Sequence, residues 1–144
     1  QRNFDSQELE QHAEAYRIEL VKNVATKQSS AEDTSVLLLD AAGLFKALLD
    51  DIQAGLPTGF IAQCFHDAFV RVLVEMAELV RAVYGISIVA LGGGVFMNRY
   101  LTEQALIQLQ ERGFTVAMNK DLPPNDASIS YGQAVLGWQA QNKE

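Results

Sequence analysis

Residues 86–98 read Ile86-Ser87-Ile88-Val89-Ala90-Leu91-Gly92-Gly93-Gly94-Val95-Phe96-Met97-Asn98. The first six are mostly β-branched and apolar, as a central strand requires. Three glycines end that strand, and Asn98 is a favoured residue for opening a helix. Leu101, Ala105, Ile107 and Leu109 carry the apolar side of a helix to about Glu111, and Gly113 closes it. Phe114-Thr115-Val116-Ala117-Met118 then reads as a second strand. Strand, helix and strand in this order form a βαβ unit, which implies parallel strands and a right-handed crossover. The predicted fold class is therefore α/β.

Upstream, the longest helix runs from Thr58 or Gly59 to about Tyr84. Ile61, Phe65, Ala68, Val72, Met76, Leu79 and Val83 make its stripe, and Phe69, Leu73 and Val80 widen it, so a largely buried helix is expected. Gly85 ends it. Asp40 is positioned to cap a shorter helix through about Ala54, with Leu44, Ala47, Leu48 and Ile52 facing inward and Gly55 and Pro57 stopping it. Val36-Leu37-Leu38-Leu39 reads as a short buried strand. Residues 26–35, TKQSSAEDTS, are a polar linker. Before them, Leu9, Ala13, Tyr16, Leu20 and Val24 form the stripe of a helix from Ser6 to Val24. The expected organisation is an N-terminal helix and linker over 1–35 and a lobe over 36–144. In that lobe Leu122-Pro123-Pro124-Asn125-Asp126 is a stiff loop. A last helix follows from about Ala127 to Gln141, packing through Val135, Leu136 and Trp138, with Gly132 and Gly137 allowing close approach.

The 144 residues suit one domain with a sizeable core. Net charge is −7, from 11 basic and 18 acidic side chains. An acidic chain without a basic stripe cannot replace the counterions of DNA or RNA, so no nucleic-acid partner is expected. It also disfavours anionic membranes. No apolar run approaches the ~20 residues that span a bilayer, and the N-terminus has no signal-peptide core. Cys64 is the single cysteine, which excludes an internal disulfide and suits the reducing cytoplasm. Within its apolar helical pattern, Cys64 reads as a small buried hydrophobe. The chain lacks an initiator Met and is expected to be a fragment of a longer protein.

Two stretches could carry chemistry. At Gly92-Gly93-Gly94, backbone N–H groups and a helix start converge, which suits phosphate or ribose. Met97 occupies the place of the third glycine of a dinucleotide fingerprint, and no Gly-Lys-Ser/Thr follows as in a P-loop. The turn serves equally well as close strand–helix packing. Asn98 reads as a ligand-binding amide or as a helix cap. In Pro123-Pro124-Asn125-Asp126-Ala127-Ser128, Asp126 is a hard ligand for a divalent metal or, with Asn125, a cap. One carboxylate does not make a metal site. His12 and His66 have no ligating partner at helical spacing, so any other ligands come from outside this chain. His66, with Asp67 and Arg71 nearby, reads as a hydrogen-bonded or surface histidine. Asp50/Asp51 and Glu75/Glu78 read as solvated helix faces. No catalytic triad, Cys/His pair or zinc-finger spacing is present.

Three stretches together resemble a known family: Phe65-His66, Val89 to Asn98, and Pro123-Pro124-Asn125-Asp126-Ala127-Ser128-Ile129-Ser130-Tyr131-Gly132-Gln133-Ala134. From about Leu37 to Gln139 the chain resembles the C-terminal end of the HypF carbamoyltransferases of NiFe-hydrogenase maturation. The resemblance implies one ribonuclease-H-like lobe of the actin/sugar-kinase-like architecture, with a small partly parallel sheet and several packed helices. It implies a parent enzyme that converts carbamoyl phosphate and ATP to carbamoyl adenylate, then carbamoylates the C-terminal cysteine of its partner HypE. By the same resemblance Gly93, Gly94 and Asn98, with Gly92 beside them, hold the adenosine part of the nucleotide. Asp126 supplies one carboxylate to a divalent metal, with Asn125 and His66 in supporting places.

In the family, two histidines spaced His-x-x-x-His complete the metal site from the other lobe, and zinc belongs to upstream domains. Those parts are absent from this chain, so the isolated fragment is expected to be inactive and to need the remaining domains of its parent. The family commonly has Ser at the place of Gly92 and two glycines at Ala127 and Ser128, which touches the fine geometry of the site. Two alternatives remain open. One is another enzyme of the superfamily, in tRNA threonylcarbamoyl transfer or small-molecule phosphorylation. The other is a non-catalytic interaction domain whose glycine turn is purely structural.

Overall fold

The computed structural model describes residues 12–23 and 36–142. The chain divides into two compact units, Gln1–Glu75 and Met76–Glu144.

In the first unit residues 12–15 are helical. Strand β1 (Glu19–Asn23) pairs antiparallel with β2 (Val36–Asp40), in register Glu19↔Asp40 to Asn23↔Val36. This corrects the helix expected through Val24. Leu20 fits a four-residue stripe, but Tyr16, Ile18 and Leu20 also alternate, and pairing with β2 selects the extended form. The Ser6 cap, the start of that helix and the linker over 26–35 lie outside the described residues. Leu37, Leu38 and Leu39 are exposed rather than buried, since among the described residues β2 pairs with β1 alone.

Helix α1 (Ala42–Gln53) follows β2, and the Asp40 carboxylate accepts from the Ala42 amide at 2.9 Å. Helix α2 (Thr58–Tyr84) opens in this unit and ends in the second. Tyr16, Ile18, Leu44, Ala47, Ile61, Cys64, Ala68 and Val72 make the core, with Leu48 and Phe65 packed against it. Ile52 is exposed, and its expected inward place goes to Asp51, which is buried. The Tyr16 hydroxyl donates to Asp51 at 2.9 Å, and His12 Nδ1 stands 3.0 Å from its other oxygen. These partners meet the demand of a buried carboxylate for hydrogen bonds. Asp51 is thus not the solvated carboxylate that its neighbour Asp50 is.

In the second unit β3 (Ile88–Leu91) pairs parallel with β4 (Thr115–Met118), Ile88 opposite Thr115 and Leu91 opposite Met118. Helix α3 (Arg99–Glu111) joins them, which is the expected βαβ unit. The sheet holds two strands among the described residues. Leu91, Leu101, Ala105, Leu109 and Phe114 are buried; Ile107 is exposed. Met76, Leu79 and Val83 are exposed, and the buried residues of α2 stop at Val74. The end of α2 is tied to the α3–β4 corner. Arg81 lies 4.1 Å from the Phe114 ring centre and donates to the Arg112 carbonyl at 2.8 Å, while Glu78 pairs with Arg112 at 3.3 Å. A short 3-10 turn (Asp126–Ser128) leads into α4 (Ile129–Gln141). Val135, Leu136 and Trp138, expected to pack, are exposed. None of the described helices is long and apolar enough to cross a membrane.

Candidate functional site

The glycine turn follows directly from β3. Leu91 is buried and ends the strand, and Gly92, Gly93 and Gly94 are exposed. Gly93 adopts φ 107°, ψ 161°, a region in which essentially only glycine is found. Gly94–Met97 form a 3-10 turn, within which Phe96 donates back to the Gly93 carbonyl at 3.2 Å. Neither Gly94 nor Val95 donates its amide to any group among the described residues. Two adjacent N–H groups at a helical start are suited to a ribose or phosphate oxygen.

The structure shows Asn98 in the capping role. Its side chain accepts from the Leu101 amide at 3.2 Å, and it precedes α3 directly. The buried Thr102 hydroxyl donates to the carbonyls of Phe96 at 2.8 Å and Asn98 at 2.9 Å, locking the turn to the first turn of the helix.

The Pro-Pro-Asn-Asp loop lies against this turn. The Gly93 amide donates to the Pro124 carbonyl at 2.6 Å. Asn125 donates its side-chain amide to Met97 Sδ at 2.9 Å, and a Cβ built on Gly94 would stand 3.9 Å from Asn125 Cβ. The capping choice between Asn125 and Asp126 goes to Asn125, whose Oδ1 accepts from the Ala127 amide at 3.2 Å. The Ser128 hydroxyl donates back to the Pro123 carbonyl. Asp126 is therefore spared from capping. It is exposed, and no side-chain hydrogen bond or ion pair engages its carboxylate among the described residues. Among these residues no group of three His, Cys, Asp or Glu side chains could hold a metal ion. Asp126 by itself is not a complete metal site among the described residues.

His66 lies on α2 in the first unit, with its Nδ1 against the Ala62 carbonyl one turn back and its ring 5.8 Å, edge-on, from Phe65. The glycine turn, Asn98, Asn125 and Asp126 all belong to the second unit, and the structure brings them together there. Cys64 is buried as expected, and burial, with the charges of Asp67 and Asp51, pushes its thiol up to about 11. Sequence reading missed the Tyr16–Asp51–His12 cluster and the contact of Asn125 with Met97. No spacing signal announces either, because the partners lie 35 and 28 residues apart.

Residues 5–133 match the family described as carbamoyltransferase, Kae1-like domain, second subdomain. Carbamoyltransferase HypF of Synechocystis sp. is 35% identical over 105 residues, which is 73% of this chain and 13% of that protein. A carbamoyltransferase HypF homolog of Cupriavidus necator is 36% identical over 100 residues, 67% of this chain and 25% of that protein. The crystal structure of full-length HypF in a phosphate- and nucleotide-bound form superposes on all of this chain with a TM-score of 0.71 and 31% identity, using 19% of that molecule. The chain thus spans about an eighth of the length of the Synechocystis relative. It belongs to the HypF carbamoyltransferase family, as the second subdomain of the Kae1-like domain.

Proposed function

We propose that this chain is the nucleotide-binding lobe of a HypF-type carbamoyltransferase. In that reading the whole enzyme forms carbamoyl adenylate from carbamoyl phosphate and ATP, and passes the carbamoyl group to the C-terminal cysteine of HypE in the cytoplasm. The Gly93–Pro124 hydrogen bond supports the reading best. It holds the glycine turn, with two amides at Gly94 and Val95 that donate to no group among the described residues, beside the loop that carries Asp126, whose carboxylate none of the described residues engages. Gly92–Gly94 would lie along the adenosine part, where a Cβ on Gly92 or Gly93 would meet nothing within 4 Å and a ligand can approach the backbone. Asn98 caps α3 and so fixes the turn beneath the nucleoside. Asp126 would give one oxygen to a divalent metal whose other ligands come from the first subdomain. The contribution of this lobe is positioning and electrostatics, not a nucleophile.

The test is calorimetric titration, with a non-hydrolysable ATP analogue and magnesium, of a protein in which this chain is joined to the upstream portion of the Synechocystis relative. Asp126→Ala and Gly94→Val should each weaken binding about tenfold or more, the equivalent of roughly 1.4 kcal/mol. Unchanged affinity in both variants would overturn the assignment.

A further inference from the structure

Met97 is the last residue of the 3-10 turn that follows the glycines, and it is 60% exposed. The other two methionines are better covered. Met76 on α2 is 39% exposed, and Met118 at the end of β4 is half-buried. The remaining sulfur, that of Cys64, is buried. An oxidant arriving from solvent therefore meets Met97 before any other sulfur of this chain. Met97 is also a side-chain link between the glycine turn and the Pro-Pro-Asn-Asp loop. Asn125 Nδ2 donates to its Sδ at 2.9 Å. Asn125 Oδ1 accepts from the Ala127 amide at 3.2 Å, which fixes the nitrogen end of that side chain toward the sulfur. The residue after Asn125 is Asp126.

We infer that Met97 is an oxidation site, at which a peroxide converts the thioether to a sulfoxide and so loosens the Asp126 loop from the glycine turn. A sulfur lone pair attacks one peroxide oxygen, and the O–O bond breaks as the S–O bond forms. The proton on the transferred oxygen passes to the departing hydroxide, which leaves as water. Sulfur gives up two electrons and the peroxide takes them. The thioether has two lone pairs, so oxygen adds on either of two sides. On the side of Asn125, the new oxygen accepts from Nδ2 and needs about 2.9 Å of its own beyond the S–O bond, which pushes Asn125 outward. On the far side, oxygen withdraws electron density from a sulfur that is already a weak acceptor, and Nδ2 loses its partner. Both products lengthen or break the contact that holds Asn125 to the turn, and Asp126 moves with its neighbour. A sulfoxide is enzymatically reducible, so the change is reversible. Its effect on nucleotide rests on the function proposed above, whereas its effect on the two loops does not.

The test treats this chain, labelled with nitrogen-15, with dilute hydrogen peroxide and digests it at intervals. Peptide masses should show Met97 oxidised first, roughly threefold or more faster than Met118. The side-chain amide resonance of Asn125 should move as Met97 reacts, and methionine sulfoxide reductases should return it. In the joined protein described above, peroxide should weaken binding of the ATP analogue about fivefold or more. Met97→Leu, compared with itself before and after peroxide, should lose no affinity; the position is open, and circular dichroism checks the fold. Oxidation of Met76 or Met118 ahead of Met97 overturns the inference, as does an Asn125 resonance that stays in place. So does an equal loss of affinity in Met97→Leu, or no loss in the unsubstituted protein. A joined protein that binds no nucleotide before peroxide sinks the proposed function instead, and the oxidation rates and the Asn125 resonance still decide this inference.

Discussion

Gly93 donates its amide to the carbonyl of Pro124 at 2.6 Å, across 31 positions of sequence. That one bond turns two separate loops into a common edge.

Gly93→Ala should break it. At φ 107° an added Cβ is strained although the space beside it is open. The expected cost is about 1–3 kcal/mol in urea unfolding. Gly94→Ala is the control, because its Cβ would make only an ordinary contact with Asn125 at 3.9 Å. Equal losses in the two variants would show that backbone conformation is not what makes Gly93 necessary.

Asp51 and Tyr16 should prove coupled. Removing the acceptor in Asp51→Ala leaves a buried hydroxyl without its bond, at a cost of about 1–3 kcal/mol. Tyr16→Phe removes the donor and leaves His12 on the carboxylate. A double-mutant cycle by chemical unfolding should show the double variant losing less than the sum of the two singles. Strict additivity would mean that the hydrogen bond contributes nothing.

Stability should fall in alkali. Burial, with Asp67 and Asp51, raises the Cys64 thiol from an ordinary 9.0 to about 11. Burial, then the bond and charge of Asp51, raises the Tyr16 hydroxyl above its usual range. Both groups are harder to ionise in the folded chain, so their contribution is complete below pH 9 and drains away as pH rises through about 11. Unfolding midpoints followed across this range should drop, and Cys64 should resist alkylation at pH 8 until denaturant is added. A flat profile would remove both groups from the account.

Asn125 and Asp126 should separate stability from binding. Asn125→Ala removes a cap and the contact with Met97, at about 1 kcal/mol. Asp126→Ala should leave the unfolding midpoint unchanged, since nothing among the described residues engages that carboxylate, while abolishing the metal-dependent part of nucleotide affinity in the joined protein. Destabilisation by Asp126→Ala would assign that carboxylate a structural role.

The parts legible beforehand share one property: their signal is local. The strand before Gly92, the helix opened by Asn98, the second strand at 115–118 and the long helix ended by Gly85 each declare themselves within a few turns of chain. The first helix was read too far, because Leu20 satisfies both a helical stripe and a strand alternation, and only β2 decides between them. Leu136 and Trp138 are apolar enough to pack, yet the structure leaves both exposed.

The sequence by itself determined the βαβ unit and the glycine turn, because propensity, capping and spacing act between near neighbours, and its three motif stretches carried the family resemblance. Only the tertiary structure decided that Gly93 meets Pro124, that Asn125 rather than Asp126 caps its turn, and that Asp51 is buried under Tyr16. The Gly93–Pro124 and Tyr16–Asp51 partners lie 31 and 35 residues apart. For Asp51 burial sets the choice, since it makes an unpaired polar atom costly and so selects the partner.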